Sequence, residues 1–196
     1  MRIAGRHYRT IWPTADGRAV EIIDQTRLPH QFVTKVLATA DEAARAIKTM
    51  EVRGAPLIGA TAAYGLAMAL RRDPSDRALE ASIEHLASQR PTAVNLRWAL
   101  DEMRKAVAPL APTARANAAW LKAAAICDDD VETCRRIGEH GLGLIKAAAK
   151  RKAGKPVNIL THCNPGWLAT VDYGTATAPI YLAQDEGLPV HVWVDE

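Results

Sequence analysis

The sequence predicts an α/β protein in two parts. Residues 1–152 read as a small N-terminal domain of antiparallel strands plus helices, and residues 153–196 as the start of a parallel α/β domain. Three observations carry this reading. Short apolar stretches fill the first forty or so positions. A helical pattern, rich in alanine and poor in aromatics, then runs from Thr39 to about Lys150. Beyond the break Ala153-Gly154-Lys155-Pro156, two apolar runs flank one helical run, the pattern of a βαβ unit.

Tyr8 to Trp12 and Ala19 to Asp24 flank Asp16-Gly17, a turn signal, and Phe32 to Leu37 follows the break at Leu28-Pro29. Together they predict a small antiparallel sheet. Thr39 and Glu42 have the spacing of a capping box, with Ala43, Ile47 and Met50 following at helical intervals. Pro56 suits the first turn of a second helix reaching about Arg71. That helix is apolar nearly all round and is expected to be buried. Leu79, Ile83 and Leu86 mark a third helix. Leu96, Leu100, Met103 and Val107 mark a fourth, with Asn95 as its cap. Pro112 to Lys150 is helical, in two pieces, with Gly138, Gly141 and Gly143 marking a bend or a close backbone approach. Val157 to Thr161 and Val190 to Val194 are apolar strands. Between them Thr175 to Glu186 is helical, closed by Gly187 and Pro189. One such unit supplies two strands and one helix, whereas apolar parallel strands need neighbours on both edges and helices on both faces. The sheet is therefore expected to be completed by another chain or by the rest of a longer protein.

Composition narrows function. The 196 residues are 48% hydrophobic, enough for a core. Twenty-five basic residues against 22 acidic ones give a net charge of +3, spread along the chain, which offers no footing for nucleic acid or a membrane. The basic cluster Lys150, Arg151, Lys152 and Lys155 reads as a solvated linker. No leader-like or membrane-spanning run is present in the sequence, and three cysteines without metal-ligand spacing fit reduced thiols, so a soluble cytoplasmic protein is expected.

Three segments have chemical potential. Arg53-Gly54-Ala55-Pro56 opens the buried helix, where free amides and an arginine suit phosphate. Taken alone, a turn glycine beside an exposed arginine explains it better. Arg90-Pro91-Thr92-Ala93 leads into the next helix in the same way, and a helix cap also explains it. Thr161-His162-Cys163-Asn164-Pro165-Gly166 lies just past the carboxyl end of the first parallel strand, the edge at which open α/β sheets bind ligands. Cys163 there could be an acid, a base or a nucleophile, or a small buried cysteine in a turn. Cys127 and Cys134 share a helix face and read as core. His7, His30, His85, His140 and His191 lack ligand spacing and read as structural.

Glu21 to Pro29, Met50 to Pro56, Arg90 to Leu100, Ile159 to Gly166 and Asp172-Tyr173-Gly174-Thr175-Ala176, in this order and spacing, resemble the methylthioribose-1-phosphate isomerase family. This family is related to the initiation factor 2B alpha-, beta- and delta-type regulatory subunits and to ribose-1,5-bisphosphate isomerases. The resemblance implies a Rossmann-like second domain, truncated here, and a sugar-phosphate pocket between the domains. It implies a homodimer at full length and no metal or nucleotide cofactor. It implies Cys163 as the catalytic cysteine, and Arg53, Gly54, Ala55 and Arg90 as substrate-binding positions. The reaction implied is conversion of 5-methylthioribose 1-phosphate to 5-methylthioribulose 1-phosphate in methionine salvage. The alternatives are a non-catalytic regulatory subunit and an isomerase of another sugar 1-phosphate such as ribose 1,5-bisphosphate. The family's catalytic aspartate, a glutamine and an Asn-Lys pair fall beyond Glu196. Asp195 and Glu196 match the segment just before that glutamine and are not the missing acid. The isolated chain is expected to be inactive or nearly so.

Overall fold

Thr14 and Gly17 close the first hairpin of the main antiparallel sheet. The Gly17 amide donates to the Thr14 carbonyl at 2.8 Å, and Gly17 takes a left-handed φ of 63°. A computed structural model describes residues 1–195; Glu196 lies outside the described residues. The hairpin joins β3 (Ile11–Pro13) to β4 (Val20–Ile23), and β5 (Thr34–Leu37) pairs on the other edge of β4. Alternation puts Val20 and Ile22 on the core side, opposite Leu37 and Ile11. A small hairpin of β1 (Arg2–Ile3) and β2 (Arg6–His7), which the sequence pattern does not announce, precedes this sheet.

The Thr39 box forms as expected and starts α1 (Ala40–Lys48), its hydroxyl accepting from the Glu42 amide while the Glu42 carboxylate accepts from the Thr39 amide. Met50, expected to continue that face, lies beyond the helix end in a left-handed conformation and is exposed. α2 (Ala55–Arg72) is the buried central helix, with thirteen of its residues inside. Its small residues let α1, α3 (Asp76–Ala87), α4 (Val94–Val107) and α5 (Pro112–Arg151) surround it. α4 differs from expectation at its start. Ala93 is the N-cap, with no side-chain hydrogen bond, and Asn95 sits inside the first turn.

α5 is one helix of 40 residues, not two pieces. Its glycines are contact points instead of a bend. A Cβ at Gly138 would meet Leu182 at 2.9 Å, and one at Gly141 would meet Pro179 at 2.7 Å, both on α6 (Ala178–Asp185). The cost of about 1 kcal/mol per helical glycine is offset by this close helix–helix packing. The N-terminal half of α5 packs Ala119, Ala123 and Ile126 into the main core, and Ile145 near its other end packs with Val157 and Ala183. α5 therefore runs beneath both the helical bundle and the parallel pair.

That pair, β6 (Val157–His162) and β7 (Val190–Asp195), is parallel, in register from Val157 with Val190 to His162 with Asp195. With α6 between them they form the expected βαβ unit, so the α/β class read from the sequence is the observed one. One sheet face meets α5 and α6; the other presents Leu160 and Trp193 at 70% and 57% exposure, which leaves an apolar face open.

Arg115, only 4% exposed, fastens three helix ends. Its guanidinium donates to the carbonyls of Leu110, Pro74 and Ala108 at 3.0, 3.0 and 3.1 Å and pairs with Asp76 at 2.6 Å. Methionine there would keep the packing and strand these acceptors. Arg115→Met is expected to lower unfolding free energy by about 2 kcal/mol, read as a lower urea midpoint at unchanged slope.

Candidate functional site

The segment after β6 sets the site. Cys163 leaves the strand with a left-handed φ of 61°, its amide donating to the Asp195 carbonyl at 2.9 Å across the carboxyl end of the sheet. That conformation costs a non-glycine residue about 1 kcal/mol and turns the chain out of the sheet. Cys163 is exposed, so the small buried turn cysteine is not what is seen. The chain then winds through a 3-10 turn, Trp167–Ala169, held by the Thr175 amide donating to the Pro165 carbonyl at 2.9 Å.

This loop crosses back to the N-terminal sheet. Val171 is fully buried in the main core. Its carbonyl accepts from the Thr10 amide at 3.0 Å, and its amide donates to the Asp130 carboxylate of α5 at 2.7 Å. Burial pushes the Asp130 carboxyl above its usual range, with the Val171 amide opposing that shift. Asp172 is buried, its two oxygens 2.6 Å from the Met1 ammonium and 2.6 Å from Nε2 of His7, consistent with a structural role for that histidine. His162 lies on the open sheet face, Nδ1 3.2 Å from the Asp195 carboxylate.

The Arg53 turn lies against this loop. Gly54 has a φ of 88°, and a Cβ added to it would overlap the backbone and side chain of Ala169. Gly54 is also the N-cap of α2 with no side-chain hydrogen bond, so amides of the first turn lack protein partners. The start of α4 lies beside that of α2: a Cβ at Gly59 would meet the Asn95 carbonyl at 3.0 Å and Ala99 at 3.3 Å. Arg90 stands in the loop before α4, its carbonyl accepting from Ala93 at 3.0 Å. The fold thus juxtaposes two uncapped helix N-termini, each led by an arginine, and sets the first against the loop that follows Cys163.

The charges around these termini are uneven. Arg27 and Lys35 pair with Asp24 and Glu51. Among the described residues no carboxylate pairs with Arg53 or Arg90, and Arg53 and Ala55 are exposed. Free amides, helix dipoles and uncompensated guanidinium groups are what an anion such as phosphate requires. Sequence reasoning passed over Gln25, whose side chain donates to the Leu168 carbonyl at 2.7 Å. Its only signal was its place in the segment Glu21 to Pro29.

The other two cysteines are buried in α5. Burial pushes the Cys127 thiol up to about 12 and the Cys134 thiol up to about 11, from 9.0. Both states hold these protons below the unfolded value, and above it the unfolded chain ionises first. The stability tied to the neutral thiols is therefore present below about pH 9 and lost as pH rises toward 12. The urea midpoint is expected to fall between about pH 8 and about pH 10.5, and to fall less in the Cys127→Ala, Cys134→Ala variant. Alkylation of the native chain should mark Cys163 alone.

A family model described as the initiation factor 2 subunit family matches residues 51–196. The methylthioribose-1-phosphate isomerase of Rhodospirillum centenum is 59% identical over 196 residues, all of this chain and 52% of that protein. That of Methylobacterium nodulans is 61% identical, over 100% of this chain and 53% of its own length. The crystal structure of 5-methylthioribose 1-phosphate isomerase from Pyrococcus horikoshii superposes with a TM-score of 0.82 at 34% identity, covering 96% of this chain and 52% of that one. The delta subunit of translation initiation factor eIF-2B from A. fulgidus gives 0.79 at 32% identity, covering 96% and 54%. The chain spans about half the length of the curated relatives it matches. Among the described residues no helix is long and apolar enough to cross a membrane.

Proposed function

Because this chain belongs to the initiation factor 2 subunit family, we propose that it forms the cysteine-bearing part of an isomerase that converts 5-methylthioribose 1-phosphate to 5-methylthioribulose 1-phosphate in methionine salvage. The observation that carries this reading is the packing of the Arg53-Gly54-Ala55 turn on Ala169, a few residues beyond Cys163. A phosphate held at the two helix starts brings C1 and C2 of the attached sugar toward the carboxyl end of β6. Arg53 and Arg90 supply charge to the phosphate, and the amides of Gly54 and Ala55 supply hydrogen bonds.

The chemistry fits a thiol in this position. Phosphate on the anomeric oxygen blocks the free ring opening of an ordinary aldose. Once the ring is open, hydrogen moves from C2 to C1, so the substrate is oxidised at C2 and reduced at C1. The change is redox-neutral and requires no external oxidant. Cys163 serves as one acid–base group of this transfer. Its acidic partner, on this reading, comes from the half of the relatives' length that the chain does not span. We assign the working protein to the cytoplasm as a homodimer, and its mild net charge of +3 offers no footing for nucleic acid.

The test is a substrate panel on the protein isolated from its native source, together with its intact mass. Turnover of 5-methylthioribose 1-phosphate is the expected result. Turnover of ribose 1,5-bisphosphate alone would reassign the substrate, since a second phosphate needs charge where a methylthio group needs apolar surface. No turnover of either by a protein substantially heavier than 21.3 kDa would leave a regulatory subunit, whereas an inactive protein of about 21.3 kDa is what the missing acidic partner predicts.

A further inference from the structure

We infer that Gln25 is a positioning residue that holds the Arg53–Gly54 turn against the Cys163 loop, an inference that rests on the sugar-phosphate site proposed above. Gln25 opens the 3-10 turn Gln25–Arg27 that follows β4. Asp24 caps this turn, its carboxylate accepting from the Thr26 amide at 3.0 Å and the Thr26 hydroxyl at 2.6 Å. The cap fixes the residue so that its backbone and side chain serve opposite walls. The Gln25 amide donates to the Glu51 carbonyl at 3.0 Å, two residues before Arg53. Its side-chain Nε2 donates to the Leu168 carbonyl at 2.7 Å, one residue before the Ala169 on which Gly54 rests.

Each end of this strut is anchored. The Glu51 carboxylate is held by Lys35 of β5 at 2.7 Å. Leu168 lies within the 3-10 turn of the Cys163 loop, and among the described residues Gln25 is the one side chain outside that loop that hydrogen-bonds to the turn. The later ties of the loop, from Thr10 and Asp130, fall at Thr170 and Val171, past the turn. Gln25 therefore sets the separation between the phosphate-facing turn and the thiol-bearing loop. A neutral amide does this without placing negative charge beside an anion. A misplacement of about 1 Å in such a constellation costs on the order of a hundredfold.

The experiment follows iodoacetamide alkylation of Cys163 in this chain, with ribose 1-phosphate as the protecting ligand, for wild type, Gln25→Met and Gln25→Lys. Gln25→Met keeps length and loses the donor; Gln25→Lys keeps a donor. The expected result is a protection midpoint raised about tenfold by Gln25→Met, the loss of one well-made hydrogen bond. Gln25→Lys should stay within about threefold of wild type. A Gln25→Met midpoint equal to that of wild type would overturn the inference. So would equal weakening by both variants, since that marks a disturbance of the turn in general. If ribose 1-phosphate fails to protect wild type, the sugar-phosphate reading fails on its own, and amide hydrogen exchange decides the role of Gln25. Exchange raised together at 51–55 and 166–170 in Gln25→Met, with β4 and β5 unchanged, supports positioning; unchanged exchange in either segment overturns it.

Discussion

Replacing Cys163 with serine is expected to lower isomerisation of 5-methylthioribose 1-phosphate by about a thousandfold, the range lost when a positioned acid–base group is removed. Serine is nearly isosteric, and Cys163 is exposed, so folding should be unaffected. Its hydroxyl is a far weaker acid than a thiol. The substrate dissociation constant should stay within about threefold, because phosphate binding is assigned to the helix starts and not to the sulfur. Steady-state rates with the protein that turns over substrate, alongside equilibrium binding, separate the two effects. A matched loss of binding and rate would move Cys163 from chemistry to substrate contact.

Gly54→Ala is expected to have the largest structural effect of any substitution of one glycine in this chain. Two costs combine. The φ of 88° is a region that L side chains rarely adopt, and the added methyl overlaps Ala169 backbone, which cannot swing aside as a flexible side-chain end would. Together they should cost about 3 kcal/mol, which for a chain of this length lowers the melting temperature by about 6–12 °C. Gly143 is the control, since a Cβ there meets nothing within 4 Å. Alanine at that helical position should stabilise by about 1 kcal/mol. Should Gly54→Ala fold normally, sugar-phosphate binding should still weaken, because the turn and the Cys163 loop will have been forced apart. Wild-type stability together with wild-type binding would contradict the close packing of the two segments.

Much of the fold was legible because its signals are local. Thr39 and Glu42 encode a capping box within four residues, and the box is present. The apolar run from Leu57 to Leu70 has no polar face to present to water, and α2 is central and buried. What was not legible depends on partners far away in sequence. Gly138 and Gly141 look like breaks in α5 until Leu182 and Pro179 come against them. Met50 continues a helical interval on paper, yet the chain has turned into the left-handed region by that point. Asn95 is a good cap residue in the wrong place, two residues past Ala93, the N-cap of the helix.

The site divides in the same way. Arg53, Gly54, Ala55, Arg90 and Cys163 were each weak signals alone, and their shared spacing with a known family made them candidates. Their relation in space was not readable. It depends on the chain after β6 folding back to bury Val171 beneath Thr10, a contact 161 residues apart. Gln25 was invisible for the same reason, since its partner Leu168 lies 143 residues away.

On the proposed function, the Arg53-Gly54-Ala55 turn and the Cys163 loop are two walls of one sugar-phosphate site. The most direct measurement is a titration of the isotopically labelled chain with 5-methylthioribose 1-phosphate, following the amide resonances of Gly54, Ala55, Cys163 and Asn164. One saturable curve shared by all four amides is the predicted result. Saturation of Gly54 and Ala55 with Cys163 and Asn164 unmoved would contradict it, leaving a phosphate site with no sugar chemistry beside it.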